Sequence, residues 1–125
     1  MKEIQPILLN GTYMAATAAM TEVDLRKYFV SPGKRELMAT LVVAGGVATD
    51  TFTFDVKMQQ SPTTVDSDFV DITGATFTQV PDATVALQAI FFGTDPASPY
   101  LRGYATIAGT GGQPILELFA VKRFS

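Results

Sequence analysis

Asp66, Asp68 and Asp71 stand two and three residues apart in a threonine-rich stretch, and carboxylates at that spacing can converge from one loop on a hard cation. The calcium-loop pattern fails here, because the position after Asp66-Ser67-Asp68 that must be glycine is not one. A hydrated, exposed acidic loop is the expectation, with no metal. A second group, Tyr100, Arg102 and Tyr104, alternates aromatic and cation in the manner of a ladder that stacks on sugars or bases. The same alternation also describes cross-strand packing, with Arg102 extending its charge to water. Gly109-Thr110-Gly111-Gly112 lacks the Lys-Ser/Thr ending of a phosphate loop and precedes a strand, so it reads as a turn. Ser61 and Ser67 have no base to activate them. Paired carboxylates for glycoside hydrolysis could come from Asp55, Asp66, Asp68, Asp71 or Asp82, and nothing in the spacing selects a pair.

What is missing narrows the chemistry further. The chain contains neither histidine nor cysteine. Ordinary acid–base catalysis and most transition-metal sites lose their commonest group with the first, and disulfides, thiolate ligands and cysteine nucleophiles go with the second. No catalytic residue and no cofactor are expected, and the chain reads as not an enzyme. The net charge of −3 argues against a binder of nucleic acid that works by releasing phosphate counterions. That charge is uneven: residues 1–49 carry +1, residues 50–95 carry −6 and residues 96–125 carry +2. The acidic middle fits solvated loops and outer strand faces. No apolar run approaches the roughly 18 residues of a membrane span, so no membrane partner is expected. Met1 to Pro6 combines an acid and a proline where a targeting segment needs clean basic and apolar regions.

The elements that must position these groups are strands. Residues 52–59 place Phe52, Phe54, Val56 and Met58 on one side and Thr53, Asp55, Lys57 and Gln59 on the other, the period of two of a half-buried strand. Residues 69–80 resume after the acidic loop with Val70, Ile72, Phe77 and Val80 as apolar members and Gly74 as a break or bulge. Residues 36–44 are apolar on both faces, which predicts a central strand or one facing a partner. Val85, Leu87, Ala89 and Phe91 share one face of the next strand, and Leu101, Gly103, Ala105 and Ile107 oppose Arg102, Tyr104 and Thr106 in the one after it. About seven short strands, each bounded by Gly, Pro or Asp, predict one all-β domain, an antiparallel sandwich or small barrel. At 125 residues with 47% hydrophobic residues, the chain can bury a core without staples.

Residues 1–19 stand apart from the domain at 20–125. They hold two charges, a hairpin signal at Asn10-Gly11 and an alanine run at 15–19 that is helical by propensity. An N-terminal arm or first strand is expected there. Ile7, Leu8, Leu9, Tyr13 and Met14 have no obvious need within the chain, which makes them the expected partner-binding residues.

The order of motifs carries a resemblance. Val23-Asp24-Leu25-Arg26-Lys27-Tyr28, the strand at 37–44, Phe54-Asp55-Val56-Lys57-Met58-Gln59-Gln60-Ser61, Asp66-Ser67-Asp68-Phe69-Val70-Asp71-Ile72 and Tyr100-Leu101-Arg102-Gly103-Tyr104 through Gly109-Thr110 together resemble a family of small structural proteins of tailed bacteriophages. In that family a strand ending in Gln-Ser leads through an Asp-rich turn to a Phe-x-Asp-Val/Ile step, and a later Tyr-Val-Arg strand ends in Gly-Thr. The insertion Pro62-Thr63-Thr64-Val65 and the last strand depart from the pattern. The resemblance implies a sandwich of jelly-roll type, made in the host cytoplasm and carried on the virion, where it decorates or cements the capsid by contact with the major capsid protein as a homo-oligomer, a trimer being favoured. A small carbohydrate- or surface-binding module, or a neck or tail component of the virion, is the alternative. The absence of tryptophan, a favoured sugar platform, counts against the carbohydrate module.

Overall fold

The computed structural model describes residues 7–11, 14, 16–27, 35–44, 52–80, 86–109 and 113–120. They form β1 (Ile7–Asn10), β2 (Ala18–Ala19), β3 (Val23–Asp24), β4 (Arg35–Ala44), β5 (Phe52–Ser61), β6 (Val70–Thr76), β7 (Ala86–Thr94), β8 (Tyr100–Gly109) and β9 (Gln113–Ala120), with short 3-10 turns at Leu25–Lys27 and Asp66–Asp68. One sheet has the order β1-β9-β4-β7 and the other β2-β8-β5-β6, with β3 continuing β2 along the same side of β8. Counting β2 and β3 as one interrupted strand, the pairs nest as in a single long hairpin. β5 pairs with β6 innermost, then β4 with β7, β2 and β3 with β8, and β1 with β9. Rolling that hairpin sets β4 beside β9 and β5 beside β8, which is the strand order of a jelly roll.

The core lies between the sheets and follows the alternation of the sequence. Leu37, Ala39, Leu41 and Val43 of β4 and Phe54, Val56 and Met58 of β5 are buried, facing Leu116 and Leu118 of β9 and Leu101 and Ala105 of β8. β4 is the central strand that its two apolar faces predict, flanked by β9 and β7. At the inner position Gly103 the sheets come close. A Cβ there would lie 2.5 Å from Leu116 Cδ2 and 2.7 Å from Met20 Sδ, so only glycine fits without displacing packed side chains.

The predicted break at Gly74 is present. Lys57 pairs with Thr76 and Gln59 with Asp71, so five steps along β6 oppose two along β5, and Gly74 takes φ +79° within the bulge. That bulge is local chemistry with a tertiary result, since it brings Asp71 level with Gln59 while Ile72 and Ala75 still reach the core. Val70, read as an apolar member of the strand, is instead exposed.

Of the N-terminal alternatives, the first strand is the one present. Ile7–Asn10 is the first strand, not a projecting arm, and Ala18–Ala19 is an edge strand, not a helix. Among the described residues, 7–19 and 20–120 share one sandwich. Asn10-Gly11 does not close a hairpin with the strand that follows, because β1 pairs with β9 and the next strand joins the opposite sheet. Instead the Asn10 side-chain amide donates to the Pro114 carbonyl at 2.7 Å. Nonlocal pairing that buries Ile7 and Leu9 overrides the local turn and helix preferences.

Candidate interaction surfaces

Each sheet has one face in the core and one facing outward, and the two outward faces are chemically opposite. On the β2-β8-β5-β6 sheet, period two sends Asp24, Thr53, Asp55, Lys57, Gln59, Tyr100, Arg102, Tyr104 and Thr106 outward, and strand register sets Lys57 beside Tyr104 and Gln59 beside Arg102. Three cations lie over rings: Arg26 over Tyr100 at 5.4 Å, Lys57 over Tyr104 at 5.5 Å and Arg102 over Phe69 at 4.0 Å from the centroid. Tyr100, Arg102 and Tyr104 thus share a face as their alternation requires, but Arg102 does not reach water. Its residue is 7% exposed, its Nε donates to Gln59 Oε1 at 2.8 Å and its Nη1 donates to Asp66 Oδ1 at 2.7 Å. The side chain pins the 3-10 turn at Asp66–Asp68 onto the sheet, so the group packs across strands as its alternation described, with its charge held inside the chain instead of extended to water.

The three aspartates do not converge. Asp66 accepts from Arg102, Asp68 Oδ2 from the Thr63 hydroxyl at 2.6 Å, and Asp71 from Gln59 Nε2 and Lys57 Nζ, each at 3.0 Å. All three are exposed, and among the described residues no cluster of acids could hold a metal ion. The Asp71 carboxyl is held below its ordinary pKa, first by the Gln59 amide and then by the Lys57 ammonium. Asp24 is lowered likewise, chiefly by its hydrogen bond from Arg26, which outweighs desolvation. The inserted Pro62-Thr63-Thr64-Val65 is part of this clamp, since the Thr63 amide donates to Ser61 Oγ and the Val65 amide to Thr63 Oγ1.

The outward face of the β1-β9-β4-β7 sheet is apolar. Register places Leu8 opposite Glu117, Met38 between Phe119 and Phe91, Thr40 between Glu117 and Ala89, and Val42 between Ile115 and Leu87. Leu87 is 76% exposed, Phe91 66% and Leu8 59%, while Met38, Val42, Ile115 and Phe119 are half-buried by their neighbours in the sheet. Among the described residues, Glu117 and, at one end, Glu36 are the charges on this face. Four strands about 4.8 Å apart, β1 shorter than the others, give the whole face a footprint on the order of 500 Å², of which Leu8, Leu87 and Phe91 are the strongly exposed apolar part.

The expected partner-binding residues divide between the core and this face. Ile7 and Leu9 are buried, so their apolar character serves the fold, and the reason for assigning them to a partner is corrected. Leu8, between them, points outward onto the apolar sheet face, as alternation along a strand demands. Met14 is half-buried against the core and Tyr13 lies outside the described residues. Met38 and Val42 lie on the strand that two apolar faces marked as central or partner-facing, whereas Leu87, Phe91, Ile115 and Phe119 were missed as surface candidates. The alternation in β4 and β7 was legible, but it does not say which apolar face turns outward.

No protein-family model matches the chain, and no curated protein matches it in sequence. The phage resemblance therefore rests on the residues quoted for it.

Proposed function

We propose that the chain is a virion structural protein that decorates or cements a tailed-phage capsid. In this reading it binds across major capsid subunits with the outward face of the β1-β9-β4-β7 sheet. The exposed apolar face carries the proposal: a footprint of this size, centred on Met38, Val42, Ile115 and Phe119, suits a protein that acts by contact area. The jelly-roll strand order supports it, since viral capsid proteins use that architecture, although fold alone does not determine function. Homo-oligomers would engage several shell sites together, raising occupancy through effective concentration, and the bound chains would stabilise the assembled shell by mass action.

The test is sedimentation of the purified chain with tailed-phage shells before and after expansion. Shells should carry the chain at fixed stoichiometry and survive heating better with it, and Phe119→Asp should abolish retention while leaving circular dichroism unchanged. Shells that sediment bare alongside a folded chain would remove the proposal.

A second reading as a carbohydrate-binding module draws on a specific observation, the half-buried Tyr100 and Tyr104 rings on the opposite sheet. Binding on a glycan array that is lost in Tyr104→Ala, with no shell retention, would favour it.

A further inference from the structure

A two-sheet sandwich has four edges, and each edge strand offers unpaired backbone groups to another chain unless something protects it. Three of the four are protected. β1 has four residues and its register with β9 shifts between Leu8 and Asn10. β2 and β3 have two residues each, interrupted at residues 20–22. β6 is bulged around Gly74 and carries the exposed Asp71.

β7 differs in every respect. It runs nine residues, Ala-Leu-Gln-Ala-Ile-Phe-Phe-Gly-Thr, without a charge or a proline, and pairs with β4 in nine consecutive steps without a shift. Gln88 ties its inner side to the segment that follows β6, accepting from the Thr78 amide and donating to the Thr78 carbonyl, each at 2.8 Å. Among the described residues, no backbone group outside β4 pairs with the backbone of β7. The two most exposed large apolar side chains in the described residues, Leu87 and Phe91, stand on this strand.

We propose that β7 pairs antiparallel with β7 of a second copy about a two-fold axis, joining two four-stranded sheets into one of eight. A strand paired with itself in this way makes a self-complementary contact, and β7 carries no charge to repel its copy. With the axis at Ala89, Leu87 of each copy lies opposite Phe91 of the other, the aromatic–aliphatic cross-strand pairing that sheets favour. A small side chain then sits at the axis. Glu117 lies two strands away from the junction, so the two copies of it are five strand spacings apart, about 24 Å, well beyond the screening length at physiological salt. The joined sheets also double the apolar outward face. With the axis at Ala89 only residues 86–92 of each copy pair, so the contact is about 23 Å long and one strand deep, which places it among small, weak interfaces. Association in the micromolar range is expected, in dimers and not in the trimer that the phage resemblance implies. This inference stands without the capsid proposal.

Sedimentation velocity of the full chain across a dilution series tests it. A monomer–dimer equilibrium is expected, weakened at least tenfold by Phe91→Lys with the circular dichroism spectrum retained. Because the chain has no cysteine, Ala89→Cys introduces a single thiol. Residues opposed across the axis have Cα atoms about 4.5–5.5 Å apart, within disulfide range, so mild oxidation should give covalent dimers. Thr106→Cys, on the outward face of the other sheet, should not. Should Phe91→Lys fail to fold, hydrogen exchange on the unaltered chain replaces it: β7 amides should gain protection with concentration. A monomer at several hundred micromolar, a trimer, equal cross-linking of the two thiol variants, or β7 protection independent of concentration would each overturn the proposal.

Discussion

The two outward faces of the sandwich are built from strands of similar length and alternation, yet one is finished and the other is not. On the β2-β8-β5-β6 face every cation identified over a ring or beside a carboxylate has a partner within the chain: Arg26 has Asp24 and Tyr100, Lys57 has Asp71 and Tyr104, Arg102 has Gln59, Asp66 and Phe69. The β1-β9-β4-β7 face shows Leu8, Leu87 and Phe91 to water. A polar surface can satisfy itself by hydrogen bonds between neighbours. An apolar surface gains only by losing contact with water, which requires another surface. Under the proposals above, the polar face serves stability and the apolar face serves association.

The sharpest version of that contrast lies within one strand. Leu9→Ala removes a buried side chain and should cost about 3 kcal/mol in urea unfolding, whereas Leu8→Ser next to it should change stability by no more than about 0.5 kcal/mol. Comparable losses would mean that Leu8 is covered within the monomer. Truncation through Asn10 should therefore unfold or severely weaken the chain, so loss of partner binding in such a truncation would say nothing about a docking arm.

On the polar face, Arg102→Ala should cost about 2 kcal/mol, because it leaves the buried Gln59 Oε1 without its donor and frees Asp66 and Phe69 of the β5–β6 connection from the sheet. Phe91→Ser should be near neutral for unfolding of the dilute monomer and should lower binding of a hydrophobic dye. A large unfolding cost for Phe91→Ser together with a small one for Arg102→Ala would reverse the assignment of roles.

The smallest expected effect is the response to acid. Asp24 and Asp71 have depressed pKa values in the folded chain, so their stabilisation is fully present above the ordinary carboxylate range and is lost as pH falls through the depressed values. Stability should decline below about pH 4. The exposed Lys57–Asp71 pair should account for at most about 1 kcal/mol of that decline, read as a shallower acid slope in Asp71→Asn. Leu87→Ser and Phe91→Ser should leave the slope unchanged.

Much of this molecule was decided by its sequence alone. Period-two alternation in residues 36–44, 52–59 and 100–108 determined the strands and paired their faces correctly, because side chains on a strand have no choice but to alternate. Gly74 marked the bulge because its positive φ is available to glycine at little cost. Only the tertiary structure decided which side of each alternation faces the core. Leu87, Ala89 and Phe91 form as regular an apolar row as Phe54, Val56 and Met58, and they face outward because the alternate row, with Ile90 and Phe92, packs on the other sheet. The roles of Arg102 and Asp66 were hidden for a related reason: they are 36 residues apart, and their bond exists only once rolling has set β8 beside β5. Alternation is a local property of the backbone, whereas burial depends on which distant surface arrives to cover a face.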